Sequence, residues 1–253
     1  MKKTATRREF ITLSALTLGG LNNKASAGAN QPVKPLKIIC AGAHPGDPEF
    51  GCGGTMAKYS AAGHKVIFLY LTRGEAFDKN ISHTEAASLR TKEAATACAA
   101  LKVTAVFAGQ IDGDTKLGAE QNEAMLKIIE SEKPDIVFTQ WPMDTHPDHQ
   151  VTGLLVLNAW TKMKQSFDLY FYEVNTGSET MSFVPTDYVE ITNFRDKKKA
   201  AMWAHQTQDP EKTYLSFFQQ MEAFRGLEAG VPAAEAFIHY RSKTDTIQQK
   251  ILP

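Results

Sequence analysis

Short apolar runs alternate with helix-like stretches along most of this chain, and that alternation constrains the fold more than any other feature. Residues 36–43 are apolar apart from Lys37, residues 65–71 read KVIFLYL, and residues 105–108, 135–140 and 169–174 supply three more runs. Runs without a polar face suit strands buried on both sides, as in a parallel sheet with helices on each face. Between them, residues 55–62, 84–101, 119–132 and 151–164 carry helical patterns, the second Ala-rich with Thr84 placed to cap it. Further on, 188–191 reads as a strand, and 197–205 and 212–228 read as helices. Strand and helix in turn predict an α/β fold, a Rossmann-like, mostly parallel sheet with helices on both faces. The alternation breaks near 177–185, so the chain from about 178 is expected to form a small C-terminal subdomain.

Composition narrows the function classes. With 253 residues, 43% of them hydrophobic, the chain can bury a core without cross-links, and three cysteines cannot make a disulfide scaffold. Cys40 lies in an apolar run and Cys98 in the Ala-rich helix, the setting of buried thiols. Basic and acidic residues balance at 28 each, without the cationic excess of a nucleic-acid binder, so no nucleic-acid partner is expected. No uncharged apolar stretch approaches about 18 residues, so no stable membrane anchor is expected. Residues 1–27 read as an export signal. Lys2, Lys3, Arg7 and Arg8 form a basic head, 11–21 is a short apolar stretch, and Ala25-Ser26-Ala27 is a cleavage site. Thr6-Arg7-Arg8-Glu9-Phe10 resembles the twin-arginine signal. The expected mature chain is 28–253, exported to the periplasm or secreted; losing five basic residues and one acidic leaves a net charge of −4.

Three of the seven histidines sit in two compact clusters. Ala43-His44-Pro45-Gly46-Asp47-Pro48-Glu49 follows the first strand, and Asp144-Thr145-His146-Pro147-Asp148-His149 follows the strand at 135–140. A doubly wound sheet binds ligands at the carboxyl ends of its strands, where both clusters fall. His44 and Asp47 are three apart in a Pro-constrained turn, as are His146 and His149 at the start of a helix. Two histidines and a carboxylate around an open position make a catalytic metal arrangement. Such groups also serve as turn and cap residues, and it is the pairing of two clusters at strand ends that favours a metal. Gly51-Cys52-Gly53-Gly54 lacks dinucleotide-loop spacing and reads as close packing. Lys197-Lys198-Lys199 reads as a solvated helix face. Trp141 beside the second cluster reads either as a sugar-stacking platform or as a core or lid aromatic.

These motifs resemble the LmbE-like (PIG-L) N-acetylglucosaminyl deacetylases, a family of zinc hydrolases with A-H-P-D-D-E after the first strand and H-P-D-H after the fourth. Leu71-Thr72-Arg73-Gly74-Glu75, the Arg90…Glu93 helix, Asp112-Gly113, His205-Gln206-Thr207-Gln208, Phe224-Arg225-Gly226 and Ala234-Glu235-Ala236-Phe237 extend the likeness over the mature chain. The resemblance implies Zn²⁺, or another divalent metal, on His44, Asp47 and His149. It implies that His146 stabilises the tetrahedral intermediate and protonates the leaving amine, that Asp148 orients a histidine, and that Arg73 lies near the sugar-binding mouth. The implied substrate is a small molecule or glycan bearing an N-acetyl group; a homo-oligomer is compatible with the sequence. One departure stands out. The family's proton-accepting aspartate is the first of A-H-P-D-D, and here that position is Gly46. Asp144, two residues before His146, is the leading replacement, with Glu49, Asp112 and Asp114 behind it. The alternatives are a metal that activates water unaided, a His146 that acts as both base and acid, or a metal- and glycan-binding protein without turnover.

Overall fold

The computed structural model describes residues 34–176 and 178–241, so the export segment expected at 1–27 lies outside the described residues. Among the described residues, seven strands form one sheet in the order β3-β2-β1-β4-β5-β7-β6. The strands β1 (Lys37–Gly42), β2 (Lys65–Tyr70), β3 (Thr104–Phe107), β4 (Ile136–Gln140) and β5 (Asp168–Tyr172) run parallel, with Ile39 paired to Ile67 on one side and Val137 on the other. Ile38, Ile39, Cys40 and Ala41 are fully buried, which explains why this central strand reads as an unbroken apolar run.

The helices divide between the faces. Helices α1 (Asp47–Ala61) and α2 (His83–Leu101) bury Met56, Tyr59, Ala94 and Cys98 against Ile38, Phe68 and Phe138. On the opposite face α3 (Ala119–Glu132) and α4 (Pro147–Lys162) bury Ile129, Leu155 and Trp160 against Ile39, Ile67 and Val137. The Ala-rich helix starts one residue before the expected Thr84; its cap is Ser82, whose hydroxyl accepts from the Glu85 N–H. All three cysteines are buried and free.

The segment after 178 does not separate from the sheet. β6 (Asp187–Glu190) and β7 (Ala234–Tyr240) add to the β5 edge, both pairings of β7 being antiparallel. Helix α5 (Arg195–Met202) packs on α1, and α6 (Pro210–Thr213), a wide turn at Tyr214–Phe218 and α7 (Gln219–Ala229) lead into β7. The expected solvated Lys197–Lys199 face is corrected at its centre. Lys198 is 1% exposed, with its Nζ 3.1 Å from Glu222 and 2.8 Å from Glu235. The glycines of α1 let partners come close: a Cβ on Gly53 would stand 2.9 Å from the Lys198 side chain.

Candidate metal centre and active site

Strand order reverses between β1 and β4, which lie side by side while their chains run on to opposite edges of the sheet. The crevice beyond their carboxyl ends is the natural binding site of such a sheet. β1 delivers the turn His44–Asp47, and β4 delivers the loop that starts α4 with His146 as its cap. Gln140, at the end of β4, ties the two ends together. Its Oε1 accepts from the Ala43 N–H at 2.9 Å, and its Nε2 donates to Asp47 Oδ2 at 3.0 Å.

His44, Asp47 and His149 converge, their potential ligand atoms all within 4.8 Å of one another. His44 Nδ1 stands 3.2 Å and His149 Nε2 3.5 Å from Asp47 Oδ2. Behind them, each imidazole meets a carboxylate. His44 Nε2 lies 3.1 Å from both Asp148 and Asp112, and His149 Nδ1 lies 3.3 Å from Asp144 Oδ1. A ring nitrogen held by a carboxylate, with its other nitrogen pointing at a common centre, is how proteins set ligand histidines. Asp148 is pinned in turn by the Gly113 N–H at 2.8 Å and the Thr115 hydroxyl at 2.6 Å.

The electrostatics fit a cation at the centre. Burial opposes a charge on His44, but Asp47, Asp112 and Asp148 outweigh it and lift the ring well above the ordinary histidine range. Burial likewise opposes charge on Asp47, yet His149 and His44 hold its carboxyl far below the usual carboxylate range. Three carboxylates thus surround one imidazole, a donor set of imidazole and carboxylate that suits a divalent ion. His146 stacks on His149 at 4.6 Å, and its Nδ1 accepts from the Asp148 N–H at 3.3 Å, which leaves the proton of the neutral ring on Nε2. Burial and the two neighbouring histidines depress its pKa.

A cavity of about 350 Å³ opens over these groups, lined by His44, Asp47, His146 and His149 together with Arg90 and Glu179. Several sequence-derived expectations are relocated. Asp144 sits behind His149 with both oxygens engaged, Oδ1 by the His146 N–H and Oδ2 by the Thr180 hydroxyl, so it does not face the cavity as a free base. Glu49 is fully buried and holds Tyr70, His205 and the Gly46 N–H. His205 serves that buried contact rather than the cavity. Asp112 reaches the cavity but is committed to His44 and the Ala76 N–H, and Asp114 pairs with Lys116 at the surface. Trp141 does not line the cavity; its ring packs edge-on against Phe171 and Phe183. Arg73 lines a neighbouring cleft of about 690 Å³ with Glu75, Lys92 and Gln110.

Gly46 adopts φ 111°, and a Cβ there would stand 2.6 Å from Gln208 Nε2. That amide and Arg90 both donate to the Pro45 carbonyl, at 2.8 Å and 2.5 Å. Sequence reasoning missed Gln140, whose role depends on β1 and β4 being neighbours. It also missed Glu179, in the stretch read as irregular. Its signal is tertiary: the Thr145 N–H donates to the Glu179 carbonyl, and the Met181 N–H to the Met143 carbonyl, so 179–181 runs beside the His146 loop. Burial, with Asp47 and Asp144 nearby and against the pull of His149, raises the Glu179 carboxyl.

Comparison with known proteins agrees with this geometry. The family model for GlcNAc-PI de-N-acetylase (PIG-L) matches residues 39–160, which span both clusters. The diacetylchitobiose deacetylase of Thermococcus kodakarensis is 28% identical over 210 residues, covering 77% of this chain and 78% of the relative. A 1D-myo-inositol 2-acetamido-2-deoxy-alpha-D-glucopyranoside deacetylase of Kineococcus radiotolerans is 30% identical over 152 residues, covering 46% of this chain and 42% of the relative. Among solved structures, N,N'-diacetylchitobiose deacetylase from Pyrococcus horikoshii superposes with a TM-score of 0.71 at 26% identity, over 81% of this chain and 83% of that one. With the family motifs on the two central strand ends and relatives named as deacetylases of N-acetylated sugars, the chain carries a PIG-L (LmbE-like) GlcNAc-PI de-N-acetylase family domain over residues 39–160.

Proposed function

We propose that this protein is a divalent-metal-dependent N-deacetylase that removes the acetyl group from an N-acetylated sugar or glycoconjugate, with Zn²⁺ as the metal. The observation that carries the reading is the convergence of His44 Nδ1 and His149 Nε2 on Asp47, each ring backed by a carboxylate. A metal held by these three residues supplies a Lewis acid that polarises a carbonyl and acidifies water. Around it, Asp148 and Asp112 hold His44, Asp144 holds His149, and Gln140 holds Asp47. His146 presents Nε2–H to the cavity, where it donates to the acetamide oxygen as negative charge builds there. A cavity of about 350 Å³ accommodates one acetamido sugar with room for a linked group. The neighbouring Arg73 cleft, formed by adjoining residues of the same loops, would receive the remainder of a longer substrate.

Gly46 favours a second reading, a metal- and glycan-binding homologue without turnover. Acetate release from a panel of N-acetylated amino sugars decides between them, with zinc-loaded protein run beside His149→Ala. Release by the wild type alone supports the deacetylase. Zinc binding and sugar binding without release support the second reading, and loss of no zinc in His149→Ala refutes the ligand set. The 1–27 segment further supports export, which places the substrate among periplasmic or extracellular glycans. Fractionation of Arg7→Lys/Arg8→Lys cells, with the protein retained in the cytoplasm, tests that step.

A further inference from the structure

Deacetylation needs a group that takes a proton from water, and position 46 has no side chain to do it. The corner is also closed, because Gln208 fills the space beside Gly46. The other carboxylates can be taken in turn. Asp47 lies between two ring nitrogens and the Gln140 amide. Asp112 and Asp148 have both oxygens engaged by His44 and by donors of the 76 and 113–115 loops. Asp144 stands behind His149, and Glu49 is sealed in the core.

Glu179 remains. It lines the same cavity as His44, Asp47, His146 and His149, and a carboxyl oxygen comes within 4.8 Å of a His149 ring nitrogen. Its backbone is fixed at both groups: the Glu179 N–H donates to the Asn175 carbonyl and its carbonyl accepts from the Thr145 N–H, each at 2.9 Å. We infer that Glu179 is the proton acceptor of this enzyme, a catalytic carboxylate supplied by the loop after β5 in place of the one absent at position 46. The inference rests on the deacetylase reading above.

The reaction balances through this one group. A water O–H proton passes to Glu179 as the oxygen forms its bond to the acetamide carbon. The C–N bond then breaks with its electron pair leaving on nitrogen, and the Glu179 carboxyl returns the proton to that nitrogen, taking the step that the family resemblance implied for His146, which here donates to the acetamide oxygen. The products are acetic acid, which ionises to acetate, and the free amine, with Glu179 again a carboxylate.

The test uses the full chain loaded with Zn²⁺, N,N'-diacetylchitobiose and N-acetylglucosamine as substrates, and calorimetric zinc titration as a readout independent of activity. Glu179→Gln should lower kcat by about 10²–10⁴-fold, the usual contribution of a general base, with KM and zinc affinity little changed. Added formate should restore part of the rate to Glu179→Ala, where the vacated space admits a small carboxylate. An active wild type with Glu179→Gln within about tenfold of its kcat overturns the inference while leaving the deacetylase reading intact. A loss of zinc affinity in Glu179→Gln overturns it too, by making the residue a ligand. If zinc-loaded wild type releases no acetate, the deacetylase reading fails and the inference with it.

Discussion

Gly46→Ala measures what a side chain costs at the metal turn, where glycine adopts its positive φ without strain. The backbone φ of 111° is one that L side chains rarely adopt, and holding a non-glycine residue in such a region costs about 1–3 kcal/mol. The new Cβ would also stand 2.6 Å from Gln208 Nε2, forcing the amide off the Pro45 carbonyl. Losing that hydrogen bond adds about 0.5–1.5 kcal/mol. The sum is about 2–4 kcal/mol, and at about 2–4 °C per kcal/mol for a chain of this size the melting temperature should fall by about 5–15 °C. Calorimetric melting of metal-free protein reads this directly. In a Gln208→Ala background the same substitution should cost about 1 kcal/mol less, because the clash is gone while the backbone cost stays. A Gly46→Ala melting point within about 2 °C of wild type would refute the reasoning. Gly46→Asp carries the same backbone cost, and its carboxylate must displace Gln208 before it can reach the cavity.

Three further outcomes are expected. Asp148→Asn removes the carboxylate behind His44 and should weaken zinc binding by about 10–100-fold, measured by competition with a chelating dye; unchanged affinity would show that Asp148 does not set the ring. Lys198→Ala leaves Glu222 and Glu235 buried without their cation and should destabilise the fold by about 3–5 kcal/mol in urea unfolding, whereas a cost near that of an exposed lysine would contradict the buried pairing. Acid should erode the same network. Burial alone would raise Glu222, but Lys198, Tyr214 and Arg195 outweigh it and lower its pKa, so its contribution is fully present above about pH 4.5, the unfolded glutamate range, and is lost as pH falls through the lower folded value. Glu222→Gln should therefore flatten the pH dependence of stability below about pH 4.5; an unaltered slope there would sink the assignment.

Much of this protein is legible in one dimension because the signals are local. A strand buried on both faces must be apolar throughout, so 36–43, 65–71 and 135–140 announce a parallel sheet. A parallel sheet places the loops after its strands at one edge, so the histidine clusters behind two of those runs point to one site before any coordinates exist. Short spacings also carry the His44–Asp47 pair, since a turn of three residues can bring both side chains to one point.

Tertiary structure decided the rest. His44 and Asp148 meet across 104 positions of sequence, and only the adjacency of β1 and β4 brings them together. Asp144, adjacent in sequence to the second cluster, turned out to support His149 from behind, because which way a loop carboxylate points depends on partners such as Thr180 that come from elsewhere. Lys198 sits in a run that composition marks as solvated, yet carboxylates from α7 and β7 bury it. β7 carries no alternation to tell it from a helix end, and antiparallel pairing with β5 makes it a strand. Glu179 has no motif around it at all. Its place in the cavity comes from pairing between 143–145 and 179–181, a contact between loops that local propensity does not encode and the assembled sheet imposes.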